Sequence, residues 1–129
     1  MTKILMVSSA ADSVAELSLF LEQQPALSLS RSETGKGGLD MIGDNRFDLV
    51  IVDETLADMT GLEFAGQLVA KDPMANLALV SSLSGDDFHE ASEGLGVLAR
   101  LPVRPDAGEG QKMLDLLESI LKLTGKRNL

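Results

Sequence analysis

Asp53 is the residue that most invites a chemical reading. It ends the stretch FDLVIVD, in which the apolar run Leu49–Val52 stops abruptly on a carboxylate before the chain turns polar through Glu54, Thr55 and Asp58. A carboxylate in that place can serve as a nucleophile or a cation ligand. It can equally be a polar residue that closes a strand or caps the following loop, and the pattern alone leaves both readings open. Other candidate chemistry falls away quickly. TGKGG (34–38) and TGKRN (124–128) lack both the upstream glycine and the Ser/Thr after lysine that a phosphate-cradling loop needs. No G-x-S-x-G elbow is present, and His89, the sole histidine, excludes a histidine-pair zinc site. The acid-rich SGDDFHEASE around it reads as a solvated helix face.

Composition narrows the classes further. The chain has 129 residues, the length of one domain, and 44% of them are hydrophobic, enough for a real core. Without cysteine there is no disulfide scaffold, thiol catalysis or thiolate-bound metal. Net charge is −9, from 20 acidic and 11 basic residues, whereas a duplex binder needs a basic footprint to displace counterions. With no Trp or Tyr and four Phe, stacking on bases is also disfavoured. No nucleic-acid binding is expected of this domain. Lys122, Lys126 and Arg127 gather near the C-terminus, as a small interaction patch or, more simply, as cations at a helix end. MTKILMVSSA is too short an apolar run for a signal peptide or membrane span, so no membrane association and a cytoplasmic setting are expected.

The elements that must position Asp53 are legible in the periodicity. KILMV (3–7), ALSLS (26–30), FDLVIV (47–52), NLALV (76–80) and VLARL (97–101) read as strands. Between them, Val14, Leu17 and Leu21 share a helical face that stops before Pro25, and Leu62, Ala65 and Leu68 share another. A glycine-rich, weak helix is expected near Gly35–Ile42 and a fourth near Asp86. The last, Glu109–Leu123, carries Met113, Leu117 and Ile120, with Gly125 just past its end. Alternating strands and helices predict parallel βα units, with the all-apolar LVIV as a strand covered on both faces. In such sheets the working groups lie beyond the carboxyl ends of the strands, where Asp53 stands.

On these residues the chain resembles the receiver domain of two-component response regulators, the CheY-like family. In that family the third strand ends in a phosphoacceptor Asp followed by an MPxMDG loop. Here Asp53 precedes Leu56-Ala57-Asp58-Met59-Thr60-Gly61-Leu62-Glu63 without a gap, Met59 and Gly61 matching, with Ala57 for the proline and Thr60 for the loop aspartate. The resemblance runs from Lys3 to the last helix. It implies a flavodoxin-like (βα)5 α/β fold, a five-stranded parallel sheet of order 2-1-3-4-5 with helices on both faces. It also implies one receiver-like domain over 1–129, with a core of about 3–123 and 124–129 as a basic tail or the start of a linker.

Carried over position by position, the family's apparatus thins out. Its acidic pair after the first strand holds Mg²⁺; this chain has Ser8 and Ser9 there, leaving Asp53 and the Thr55 backbone carbonyl as metal ligands, so Mg²⁺ binding is expected to be weak. Asp12 reads as a helix-start residue rather than a replacement ligand. Ser81, with Ser82 next to it, takes the place of the hydroxyl that contacts the phosphoryl group and moves on activation. Arg104 before Pro105 takes the lysine's place at the cost of one extra residue; counted from Pro102, Val103 would stand there instead. Arg100 occupies the switch position that the family fills with an aromatic ring.

The resemblance therefore implies a non-enzymatic receiver. It would take a phosphoryl group on Asp53 from a histidine kinase or phosphotransfer protein and signal to a downstream output domain or protein through its fourth helix, fifth strand and fifth helix. A pseudo-receiver, the same fold used for docking without phosphorylation, is the alternative that Ser8, Ser9 and Arg100 favour. A flavodoxin-like nucleotide or flavin binder is the third, disfavoured by the missing aromatics. The chain can also be read as a domain of a longer protein.

Overall fold

A computed structural model describes residues 2–124. Five strands, β1 (Thr2–Val7), β2 (Leu27–Ser32), β3 (Leu49–Val52), β4 (Leu77–Val80) and β5 (Val97–Leu101), form one sheet of order β2-β1-β3-β4-β5. All neighbours pair in parallel, with Ile4 opposite Leu49 and Val52 opposite Leu79. The helices are α1 (Ala15–Glu22, entered through a 3-10 turn over Ala11–Val14), α2 (Gly35–Asp44), α3 (Gly61–Lys71), α4 (Gly85–Ala91) and α5 (Ala107–Thr124). This is the flavodoxin-like (βα)5 architecture that the resemblance implied.

Strand period and burial explain the layering. Alternate β1 residues serve opposite faces: Ile4 and Met6 join Leu49, Ile51, Val80 and Leu101 under α1 and α5, while Leu5 and Val7 join Val50, Val52 and Leu79 under α2, α3 and α4. All four residues of β3 are buried, because the central strand has helices on both sides. Phe64, fully buried on α3, anchors the second layer; truncation to alanine there would cost about 3–5 kcal/mol.

The helix boundaries follow from their caps. Thr60 and Glu63 form a reciprocal capping box at the start of α3, Thr34 caps α2 through the Gly37 amide, and Ser84 caps α4 through the Asp87 amide. The glycine-rich α2 extends to Asp44, two residues past the expected end. On α5 the buried stripe is Met113, Leu117 and Leu121, with Ile120 only half-buried, because steps of four keep a long helix over the sheet. Gly110 lets α5 approach α1, since a Cβ there would lie 2.6 Å from the Phe20 ring. Lys122 pairs loosely with Glu118 at 3.8 Å, an exposed one-turn contact of little energetic weight. The rest of the C-terminal basic patch, Lys126 and Arg127, and the stop at Gly125 lie outside the described residues.

Candidate functional site around Asp53

β3 delivers Asp53 to the carboxyl edge of the sheet, where its amide donates to Val7 O of β1 at 2.9 Å. The residue is 7% exposed. Asp53 Oδ2 accepts the hydroxyl protons of Ser8 at 2.8 Å and Ser13 at 2.5 Å, and Oδ1 accepts the Glu54 amide at 2.8 Å. Two neutral hydroxyls and an amide thus surround an anion, and hydrogen bonds to a charged group are stronger than neutral ones. The Ser13 contact was not foreseen in the sequence. It spans 40 residues and depends on the 3-10 turn after β1, which aims Ser13 inward while Asp12 stays exposed.

The two serines at the acidic-pair positions part company. Ser8 faces Asp53, whereas Ser9 accepts the Ala57 amide at 2.7 Å and donates to the Glu33 carbonyl, tying the loop after β1 to those after β2 and β3. Consecutive residues leaving a strand point opposite ways, so a pair in sequence is not a pair in space.

The loop from Asp53 to Gly61 is a tight turn held from within. Thr55 pairs with Thr60 as an antiparallel bridge, the Leu56 amide donates to Met59 O at 2.8 Å, and the Gly61 amide to Glu54 O at 2.9 Å. A Cβ on Gly61 would lie 2.4 Å from the Asp53 carbonyl, so glycine is required for α3 to start this close to the site. Asp58 reaches across to accept the Gly35 and Lys36 amides at 2.8 and 3.0 Å, at the N-terminus of α2. Those bonds, Lys36's foremost, hold the exposed Asp58 carboxyl below the usual carboxylate range.

On the other flank the candidate residues engage Leu83, Glu54 and Phe88, not Asp53. Ser81 is buried at the end of β4, and its hydroxyl accepts the Leu83 amide at 3.1 Å. The Ser82 amide and hydroxyl both donate to Glu54 Oε2, at 2.7 and 2.8 Å. Arg100 lies on the surface, donates to the Leu83 carbonyl at 3.1 Å and sits over the Phe88 ring at 6.0 Å. Arg100 thus braces the loop after β4 through a cation, where the resemblance led one to expect a ring. Arg104 and Val103 are both exposed, Arg104 with φ of +53°, and among the described residues no hydrogen bond or ion pair joins either to Asp53. Pro105 behind them is buried.

A divalent cation does not fit this donor set. Mg²⁺ demands near-ideal octahedral oxygen ligation. Asp53 offers one carboxylate whose oxygens already carry three hydrogen bonds, and Glu54 is turned to Ser82. No three acidic or histidine side chains converge among the described residues. A wide groove of about 940 Å³ lies at the opposite end of the sheet, lined by Lys3, Arg46, Asp48, Asp72 and Asn76, remote from Asp53.

Among solved structures, the signal receiver domain of an HD domain-containing protein from Pseudomonas fluorescens Pf-5 superposes with a TM-score of 0.83 at 19% identity, covering 98% of this chain and 93% of that one. The chemotaxis response regulator CheY4 of Vibrio cholerae gives 0.79 at 18% identity, over 91% and 98% of the two chains. The fold is that of the CheY-like receiver domain. A member of a novel family of redox sensors in the streptococci, evolved from two-component response regulators, shares the receiver fold at a TM-score of 0.81 and 16% identity, over all of this chain and 56% of its own. In sequence, the aerobic respiration control sensor protein ArcB of Escherichia coli (strain K12) is 34% identical over 62 residues, 48% of this chain and 8% of ArcB. The chain thus matches a small part of that longer relative. No protein-family model matches the chain.

Proposed function

We propose that this chain is the receiver module of a two-component phosphorelay, with Asp53 accepting a phosphoryl group from a histidine kinase or phosphotransfer protein in the cytoplasm. The observation that carries the reading is the placement of Asp53: a nearly buried carboxylate at the carboxyl end of the central strand of a receiver fold, followed by the gap-free loop that Gly61 closes. One carboxylate oxygen would attack phosphorus; the new O–P bond forms as the bond to the donor's imidazole nitrogen breaks, and the electron pair leaves with that nitrogen. Ser81 and Arg104 are the side chains nearest in kind to phosphate contacts, and both would have to turn toward Asp53 to serve. The loop after β4, braced by Arg100, would carry the change to the α4-β5-α5 face and so to an output domain or protein. With the acidic pair absent, catalysis rests on positioning without the charge neutralisation that speeds phosphoryl transfer, so acceptance is slow. The module serves as the phosphoryl acceptor of its donor.

A second reading is favoured by the hydroxyls on Asp53 Oδ2. A carboxylate held this way can act as a structural pin, and the domain would then be a pseudo-receiver that docks partners without phosphorylation. The streptococcal redox sensors are a receiver-derived family put to another use.

The deciding experiment is incubation with an acyl phosphate and Mg²⁺ followed by intact-mass measurement. A gain of one phosphoryl group that vanishes in Asp53→Asn is the expected result. No gain, where an ordinary receiver is modified in parallel, selects the pseudo-receiver.

A further inference from the structure

Each serine hydroxyl on Asp53 has one proton and two acceptors within reach. Ser8 Oγ lies 2.8 Å from Asp53 Oδ2 and 3.1 Å from the Ala10 carbonyl. Ser13 Oγ lies 2.5 Å from the same Oδ2 and 2.9 Å from the same carbonyl. Ala10 O, which also accepts the Ser13 amide at 3.0 Å, is therefore a second seat for both protons. A hydroxyl rotor moves by turning about its C–O bond, so the donors can leave Asp53 for Ala10 O with no backbone movement, and the nearly buried Oδ2 is then left without a donor.

We propose that Ser8 and Ser13 are positioning residues that form a releasable latch on the Asp53 carboxylate. With both protons on Oδ2 the anion is stabilised and its nucleophilicity damped, and that oxygen is closed to a cation or to attack. With the protons turned to Ala10 O the carboxylate is free. The latch occupies the place where an acidic pair would hold metal, and it replaces a charge-neutralising ion with a dipole pair that can be switched off. Turning the protons makes and breaks no covalent bond. The latch rests on Asp53 being the reactive group, since it regulates that group's availability.

The consequence runs against the usual effect of removing site residues: deleting a hydroxyl should make Asp53 more reactive. The 129-residue chain is incubated with acetyl phosphate in EDTA, and the rate of phosphoryl incorporation is read by intact mass. In this step Oδ2 bonds to phosphorus while the P–O bond to acetate breaks, and acetate leaves with the electron pair, so no proton is consumed. Ser13→Ala should raise the rate by about tenfold, as expected from losing one hydrogen bond to a charged group. Ser8→Ala combined with it should raise the rate further, and Ser13→Thr, which restores a hydroxyl, should keep the slow rate. Amide ¹H–¹⁵N spectra of each variant confirm that the fold is kept and follow the Glu54 amide, whose resonance reports its bond to Oδ1.

Each outcome decides. Slow incorporation in the native chain and faster incorporation in the alanine variants supports both the latch and the acceptor role. Incorporation only in the alanine variants supports the latch and removes the acceptor role from the native chain. Equal or lower rates in the alanine variants overturn the latch and leave the acceptor role standing. No incorporation in any variant, in EDTA or with Mg²⁺, overturns both.

Discussion

The two flanks of Asp53 are built from the same residue type and do opposite things. On the β1 side, Ser8 and Ser13 reach across 45 and 40 residues of sequence and bond the Asp53 carboxylate. On the β4 side, Ser82 bonds Glu54 through both its amide and its hydroxyl, and Ser81 turns back to the amide of Leu83. Adjacent carboxylates are thus claimed by opposite neighbours. The sheet order permits this: β3 lies between β1 and β4, so the segment leaving its end borders the loops that follow both. Asp53 belongs to the β1 flank and Glu54 to the β4 flank. Asp53 is therefore restrained on one side, while the loop after β4 is restrained on the other through a separate carboxylate.

The comparison can be broken most severely at the turn that holds both carboxylates in place. Gly61→Ala puts a Cβ against the Asp53 carbonyl at 2.4 Å, against backbone that cannot turn aside. A loss of about 3 kcal/mol is expected from overpacking of that kind, with both flanks disturbed at once, read by urea unfolding. A separable effect would show that the two flanks do not share the turn.

A smaller and more selective break is Glu54→Ala. It removes the acceptor for Ser82 and should cost about 1–2 kcal/mol. Amide exchange should quicken at Ser82 and Leu83 and stay unchanged at Ser8 and Ser13. Faster exchange on the β1 flank as well would mean that the flanks are coupled, contrary to the separation described above.

The smallest effect is expected at Asp58, which lies outside both flanks and ties the loop to α2. Its folded-state carboxyl is held below the ordinary value by the Lys36 and Gly35 amides. Its contribution is therefore complete above the ordinary carboxylate range and is lost as pH falls through that range toward the lower folded value. Asp58→Asn should lower the melting temperature slightly at neutral pH and converge with the native protein in acid, so that the acid limb is slightly flatter. A melting temperature with the same acid dependence in variant and native protein would show that these bonds carry no charge-dependent stability.

Much of this was legible before any coordinates. The run LVIV announced a doubly covered strand because apolarity on both pleat faces has few other uses, and β3 is buried throughout. The spacing from Asp53 to Gly61 carried the turn because its glycine is demanded by backbone contact with Asp53 itself. The site's partners were less legible. Ser8 and Ser9 stood as a pair in the sequence, and the chain direction separated them; Ser13 carried no local signal, since a serine at the start of a helix is ordinary capping chemistry. Ile120 was expected on the buried stripe of α5, and Leu121 lies there, a one-residue phase difference that accumulates along a long helix.

By itself, then, the sequence determined the order and type of the elements, the double covering of the central strand and the placement of Asp53 at a carboxyl edge. These follow from local periodicity and from burial, which each segment encodes in its own residues. Only the tertiary structure decided which hydroxyls reach Asp53, which reach Glu54, and that Arg100 braces Leu83 and Phe88 while Arg104 stands exposed. Those choices depend on directions at strand ends and on loops meeting from segments 17 to 45 residues apart, with tolerances of a few tenths of an ångström. Periodicity carries no information at that scale.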